Sequence, residues 1–202
     1  MTDEYSSFVK AFPVLHHVTH ASNWPSIQGS GLWSVASLVE RSRSRKRTGP
    51  SLTQRRTSVV RIPIDGTEVW VRDQLPIKES MLIRCLRGTT LPDWYRELNR
   101  RVFLFVNDRI GLQKLTHAYQ STPQCVLRLD SRSLLDEHGG SAFVCRYNSG
   151  SVPRSAKVPR GPEIFIPVRD VGLRMRPRDV RELTVLTGIP DLRDHLLAVD
   201  FM

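Results

Sequence analysis

No segment of this chain stays apolar for long. The longest uninterrupted hydrophobic run, Val102 to Val106, is five residues, against the ~20 that a membrane-spanning helix needs, so no membrane partner is expected. Cysteine is scarce too. Cys85, Cys125 and Cys145 are an odd number, widely spaced, each in a mostly apolar setting, which excludes a disulfide framework and gives the expectation of reduced core thiols. Cys125 could pair with a histidine for covalent catalysis, but a small buried thiol is the favoured reading. Neither a CxxC pair nor a His/Cys group of zinc-ligand spacing occurs, so no metal is expected. The phosphate signatures GxGxxG and GxxxxGK[ST] are also missing, and Gly29-Ser30-Gly31 alone is too short; Rossmann and P-loop readings therefore fail. The first residues, MTDEYSS, hold acids and hydroxyls where an export signal would hold positive charge and then an apolar stretch, so the expected location is the cytoplasm.

What the chain has in excess is arginine. The net charge is +10, and between Arg41 and Arg61 lie eight Arg/Lys residues and no acid. The planar guanidinium suits phosphate bidentately, which favours a nucleic acid or a dinucleotide as partner over a merely solvated loop. Residues 41–58 lack an apolar period and read as a mobile basic loop, with Arg43, Arg45 and Arg47 as candidate nucleic-acid contacts. A second basic stretch, NSGSVPRSAKVPRGPE, adds Arg154, Lys157 and Arg160. Positive charge there points to a nucleic-acid acceptor, and a proline-rich connector is the plain alternative.

Length and a 40% hydrophobic content fit one domain over residues 1–202. Phe12 to Thr19 suits a buried first strand, and Ser22-Asn23 then Pro25 starts a short helix that Gly29 and Gly31 end. VVRIPI and TEVWVRD flank Asp65-Gly66, a strong hairpin signal. Helical spacing covers Ser80–Arg87, Pro92–Asn99 and about 110–120, so residues 77–100 read as helical. VFLFV, VLRLD, SAFVCRY and EIFIPV read as strands, followed by a short strand at Leu183–Leu186 and a helix capped by Asp191. Short strands with helices mainly in the N-terminal half make an α+β fold.

The block LHHVTHASNWPSIQGSGLWS, from Leu15 to Ser34, resembles the opening of the DarT family of nucleic-acid-targeting ADP-ribosyltransferases, with its His-Ile-Thr strand, Asn-x-Pro-x-Ile helix and Gly-Leu-x-Ser. VFLFV resembles that family's central strand, and GPEIFIPV its late strand headed by the catalytic glutamate; against that pattern, residues 77–100 are a helical insertion before the central strand. The resemblance implies an ADP-ribosyltransferase-like fold with a central, split, mostly antiparallel sheet. It implies NAD as co-substrate and no metal. It places His17, Thr19, Asn23, Ser34 and Phe103 at the dinucleotide, with Arg55 or Arg56 as the arginine that holds it and Glu163 as the catalytic carboxylate. It also implies a toxin or defence effector, with an antitoxin or hydrolase as further partner.

Each residue has a plainer role open to it. His17 on an apolar strand can be a hydrogen-bonded core histidine, Asn23 a helix cap, and Glu163 an exposed acid at a strand start. The function implied is mono-ADP-ribosyl transfer to DNA or RNA. The competing reading is an inactive module of the same fold whose arginines grip nucleic acid. Convergence of His17, Asn23 and Glu163 on one cleft is the observation that separates a site from coincidence.

Overall fold

The computed structural model describes residues 4–42, 50–106, 112–152 and 158–202. Arg43, Arg45, Arg47, Arg154 and Lys157, five of the six cations expected to meet nucleic acid, lie outside the described residues. In chain order the elements are α1 (Ser6–Ala11), β1 (Val14–His20), α2 (Trp24–Ser30), β2 (Leu32–Trp33), α3 (Val35–Arg41), β3 (Val60–Ile64), β4 (Thr67–Val71), α4 (Glu79–Cys85), α5 (Leu91–Asn99) and β5 (Arg101–Phe105). There follow α6 (Gln113–Ala118), β6 (Gln124–Asp130), α7 (Ser131–His138), β7 (Ala142–Cys145), β8 (Ile166–Pro167), β9 (Glu182–Leu186), β10 (Gly188–Ile189) and β11 (Leu196–Phe201).

Seven strands form one sheet in the order β11-β6-β1-β5-β9-β7-β8, and every pairing is antiparallel. The fold is α+β, as its sequence pattern indicates. β1 pairs with β6 along seven residues, but with β5 through one register pair, His16 opposite Phe105. Among the described residues the sheet is thus two ladders joined at a single rung.

Alternation decides what covers each face. Val102 and Leu104 of β5 join Leu15, Leu127, Val144 and Leu183 in a core closed by Phe8 of α1, Ile27 of α2 and Leu134 and Leu135 of α7. Phe103 and Phe143 face the other way, against Leu82 of α4 and Trp94, Tyr95 and Leu98 of α5. The stretch 77–100 is helical, as its spacing predicts, and it supplies this second layer. The hairpin of β3 and β4 forms around Asp65 and Gly66, both at positive φ (47° and 85°), the geometry that Asp-Gly favours.

Three differences from the sequence reading matter. EIFIPV is not a full strand: Pro162–Ile164 is a single 3-10 turn, and pairing begins only at Ile166. Asp191 precedes a 3-10 turn, Leu192–His195, without capping it. Helices α1 and α7 and strand β11 carry no strong apolar period in the sequence and appear only in the fold.

Gly31 ends α2 with φ 87°, and a Cβ there would lie 2.6 Å from the Ile189 carbonyl oxygen and from Pro190. The close approach lets β2 pair with β10 and so sets the position of Ser34. Gly31→Ala is expected to destabilise the fold by ~3 kcal/mol, combining left-handed strain with a backbone clash. Thermal denaturation should then show a fall of ~6–12 °C; an unchanged melting temperature would contradict this packing.

Candidate active site

A cavity of about 370 Å³ opens where the two ladders part, within the size range of small-molecule sites. It is lined by His17 and Thr19 of β1, Asn23, Ser34, Trp70 and Arg72 around the hairpin, Arg56, Phe103 of β5, Tyr119, and Glu182 at the head of β9. His17, Thr19, Asn23, Ser34, Arg56 and Phe103 were all expected at one site, and the fold brings them to one cavity. Glu163 and Arg55 do not line it.

His17 places its Nδ1 2.9 Å from the Phe103 carbonyl oxygen. A carbonyl only accepts, so Nδ1 carries the hydrogen. Burial, reinforced by the Arg72 charge, holds the ring pKa down to about 4 despite that bond, so the imidazole is neutral with Nε2 as an acceptor. This bond also spans the two ladders, next to the His16–Phe105 pair.

Asn23 is neither a helix cap nor a free polar group. It makes no capping bond; His20 and Ser34 cap the neighbouring helices. Its Nδ2 donates to the Trp70 carbonyl and to Thr19 Oγ1, both at 2.8 Å, while its Oδ1 accepts from the Trp70 N–H at 2.7 Å. Asn23 therefore fixes the hairpin against β1. Trp70 stacks on His20 with ring centroids 4.2 Å apart, and the Arg61 guanidinium sits 4.6 Å from its centroid.

Of the two arginines proposed for the dinucleotide, Arg55 donates to the carbonyls of Gln74 and Leu75. Arg56 reaches the cavity but donates to the Arg72 carbonyl and Asn99 Oδ1, and burial lowers its pKa to about 10. The better placed cation is one the sequence reading missed. Arg72 lies over the Tyr119 ring at 4.5 Å and donates to the neutral amide of Gln124, so among the described residues its charge is not matched by a bonded carboxylate.

The second missed residue is a carboxylate, and it is not Glu163. Glu163 sits exposed on the Pro162–Ile164 turn, its carboxylate beside Gly88 and Gly161. It is away from the cavity because Pro162 and Pro167 confine this segment to the sheet edge. Glu182, in contrast, is 4% exposed. It stands opposite Phe105, which in turn stands opposite His16, about two strand spacings or ~10 Å from β1. The Ser149 N–H donates to its Oε1 at 3.0 Å. Burial pushes its pKa up to about 7 against the pull of Ser149, Arg160 and Arg101. A buried, perturbed carboxylate in a cleft makes Glu182 a functional-site candidate.

Residues 13–196 match a family described as of unknown function, DUF7002. The chain belongs to that family. No curated protein matches it.

Two further expectations for this DUF7002 chain are settled by burial. Arg160 is 2% exposed and donates to the carbonyls of Pro159, Asn148 and Ser151; it stitches its own loop and cannot meet a phosphate backbone. All three thiols are buried and free, and burial drives Cys125 and Cys145 up to about 11 and 12, so neither is an ionised nucleophile at neutral pH. No helix among the described residues is long and apolar enough to cross a membrane.

Proposed function

We propose that this DUF7002 chain is an NAD-dependent mono-ADP-ribosyltransferase of ADP-ribosyltransferase-like fold, with a nucleic acid as acceptor and Glu182, not Glu163, as its catalytic carboxylate. The observation that carries the reading is the meeting of Glu182 with His17 and Arg72 in one cavity at the split of the sheet, although each lies more than 50 residues from the others in sequence.

The residue chemistry fits a dinucleotide. Arg72 offers a cation to the diphosphate. Neutral His17 offers Nε2 as acceptor for a ribose hydroxyl. NAD would supply the electrophile: its glycosidic carbon–nitrogen bond breaks with the electron pair leaving on nicotinamide, and an acceptor atom bonds to that carbon and loses its proton. Glu182 holds a carboxylate where positive charge grows on the ribose, so it stabilises the transition state more than the ground state. The same group can take the acceptor proton. The net charge of +10 supports a polyanionic acceptor.

Incubation of the pure protein with labelled NAD and separate DNA, RNA and protein pools tests this. Label is expected in a nucleic-acid pool, retained by Glu163→Ala and lost in Glu182→Gln. Label in no pool, together with salt-sensitive nucleic-acid binding, would instead favour a binding module. A toxin role adds a cellular readout: expression of the wild-type chain, but not of Glu182→Gln, arrests growth of the host.

A further inference from the structure

A second cluster of ionisable groups lies elsewhere, and none of its members lines the cavity. His138 closes α7, while Asp191 and His195 bracket the 3-10 turn between β10 and β11. Asp191 divides its carboxylate between the two rings: Oδ1 is 2.6 Å from His138 Nε2, and Oδ2 is 3.4 Å from His195 Nε2. The ligating atoms of all three lie within 4.8 Å of one another.

His195 carries the argument. It is 3% exposed, its Nδ1 lies 3.1 Å from Ser133 Oγ, and its buried Nε2 makes no hydrogen bond. With Nδ1 donating to the serine oxygen, Nε2 presents a lone pair toward a carboxylate. Two acceptors then face each other, one of them on a buried ring, an arrangement that a cation between them relieves.

We propose that His138, Asp191 and His195 bind a divalent transition-metal cation of the zinc class, with Ser133 orienting His195 from behind. Two imidazoles and one carboxylate are a borderline-soft donor set, suited to zinc, cobalt or nickel and not to calcium or magnesium, which take oxygen ligands. Two ligands each ~2.1 Å from one tetrahedral ion stand ~3.4 Å apart, the separation found between His195 Nε2 and Asp191 Oδ2. His138 needs only to exchange its bond to Asp191 for a bond to the ion. Ser133 behind His195 repeats the rule that a ligating ring gives its other nitrogen to a polar neighbour. The bound ion clasps the turn before β11, the edge strand of the sheet, to α7. This site is independent of the NAD cavity.

The test uses the full untagged chain after chelator treatment, titrated with Zn²⁺ by calorimetry and with Co²⁺ by visible absorption. One equivalent is expected to bind with a dissociation constant at or below ~1 μM, with the intense bands of four-coordinate cobalt and a melting temperature several degrees higher. His138→Gln, partly exposed and therefore the variant least disturbing to the fold, and His195→Gln should each weaken Zn²⁺ binding by at least ~100-fold, and Ser133→Ala by ~10-fold. Absence of a one-equivalent site at 100-fold higher Zn²⁺ (~100 μM), or equal affinity in wild type and folded His138→Gln, overturns the proposal and leaves a proton-bridged His–Asp pair.

Discussion

Glutamine at position 182 is expected to abolish ADP-ribosyl transfer and, above pH 7, to raise the melting temperature. Loss of a charge placed against the developing cation costs ~10²–10³ in rate by itself, and loss of the proton acceptor adds to it. The stabilisation has a separate cause. Glu182 is buried with one backbone donor, the Ser149 N–H, which a glutamine oxygen still accepts. Burial raises its pKa from an ordinary value near 4.5 to about 7, so the native state holds the proton more tightly than the unfolded chain. The native state is therefore penalised by nothing below pH 4.5, increasingly from 4.5 to 7, and by an amount on the order of 3 kcal/mol above 7. Glutamine removes that penalty. A folded Glu182→Gln variant with more than ~1% of wild-type turnover would refute the role, since even one lost electrostatic donor costs ~10².

His17 pulls the other way. Its pKa falls from 6.5 to about 4, so its contribution is present above pH 6.5 and is lost as pH drops toward 4. Between pH 4.5 and 6.5 the two slopes oppose each other with similar size. The wild-type melting temperature should be nearly flat across that window, and in Glu182→Gln it should climb with pH and level off near 6.5. Transfer activity should rise through about pH 7 as the Glu182 carboxylate ionises. A wild-type profile that is as steep as the variant's would show that Glu182 does not titrate in this range.

How much of this was legible in the chain follows from what is local. His17, Asn23, Ser34 and the turn at Gly31 sit in one contiguous block, so strand, turn and helix place them together with no long-range information. Glu163 was expected from the family resemblance, yet Glu182 is equally an acid at the head of an apolar run, ELTVL against EIFIPV. Proline was the available tie-breaker. Pro162 and Pro167 cannot donate to a ladder and push the first run to an edge, whereas ELTVL has none and fits between β5 and β7, where an acid must be buried. Arg72 was hidden because the arginine-dense tract before it favoured Arg55 and Arg56, whose guanidiniums the fold spends on backbone carbonyls and the Asn99 amide oxygen. His138 and Asp191 are 53 residues apart, beyond any spacing rule for metal ligands, and α7 itself has only Leu134 and Leu135 as an apolar face.

Asn23→Ala gives the second large expected effect, on stability and substrate binding together. The Trp70 N–H and carbonyl face away from β3, and the Asn23 amide meets both, standing in for one residue of a third strand on the hairpin edge. Alanine removes three hydrogen bonds and leaves two backbone groups and Thr19 Oγ1 without that partner, for an expected loss of ~2–4 kcal/mol. Asn23→Asp keeps only the acceptor half and places a carboxylate oxygen against the Trp70 carbonyl, so it should be no better. With the hairpin released, Trp70 and Arg72 lose their fixed positions on the cavity wall, while Glu182, held by β5 and β7, does not. The KM for NAD should therefore rise by more than ~10-fold with a smaller change in kcat, the signature of lost binding common to ground and transition states. Denaturant unfolding and initial rates measured on the same preparations check both halves. A variant within ~0.5 kcal/mol of wild type that loses kcat alone would place Asn23 at the reacting atoms instead of behind the wall that holds them.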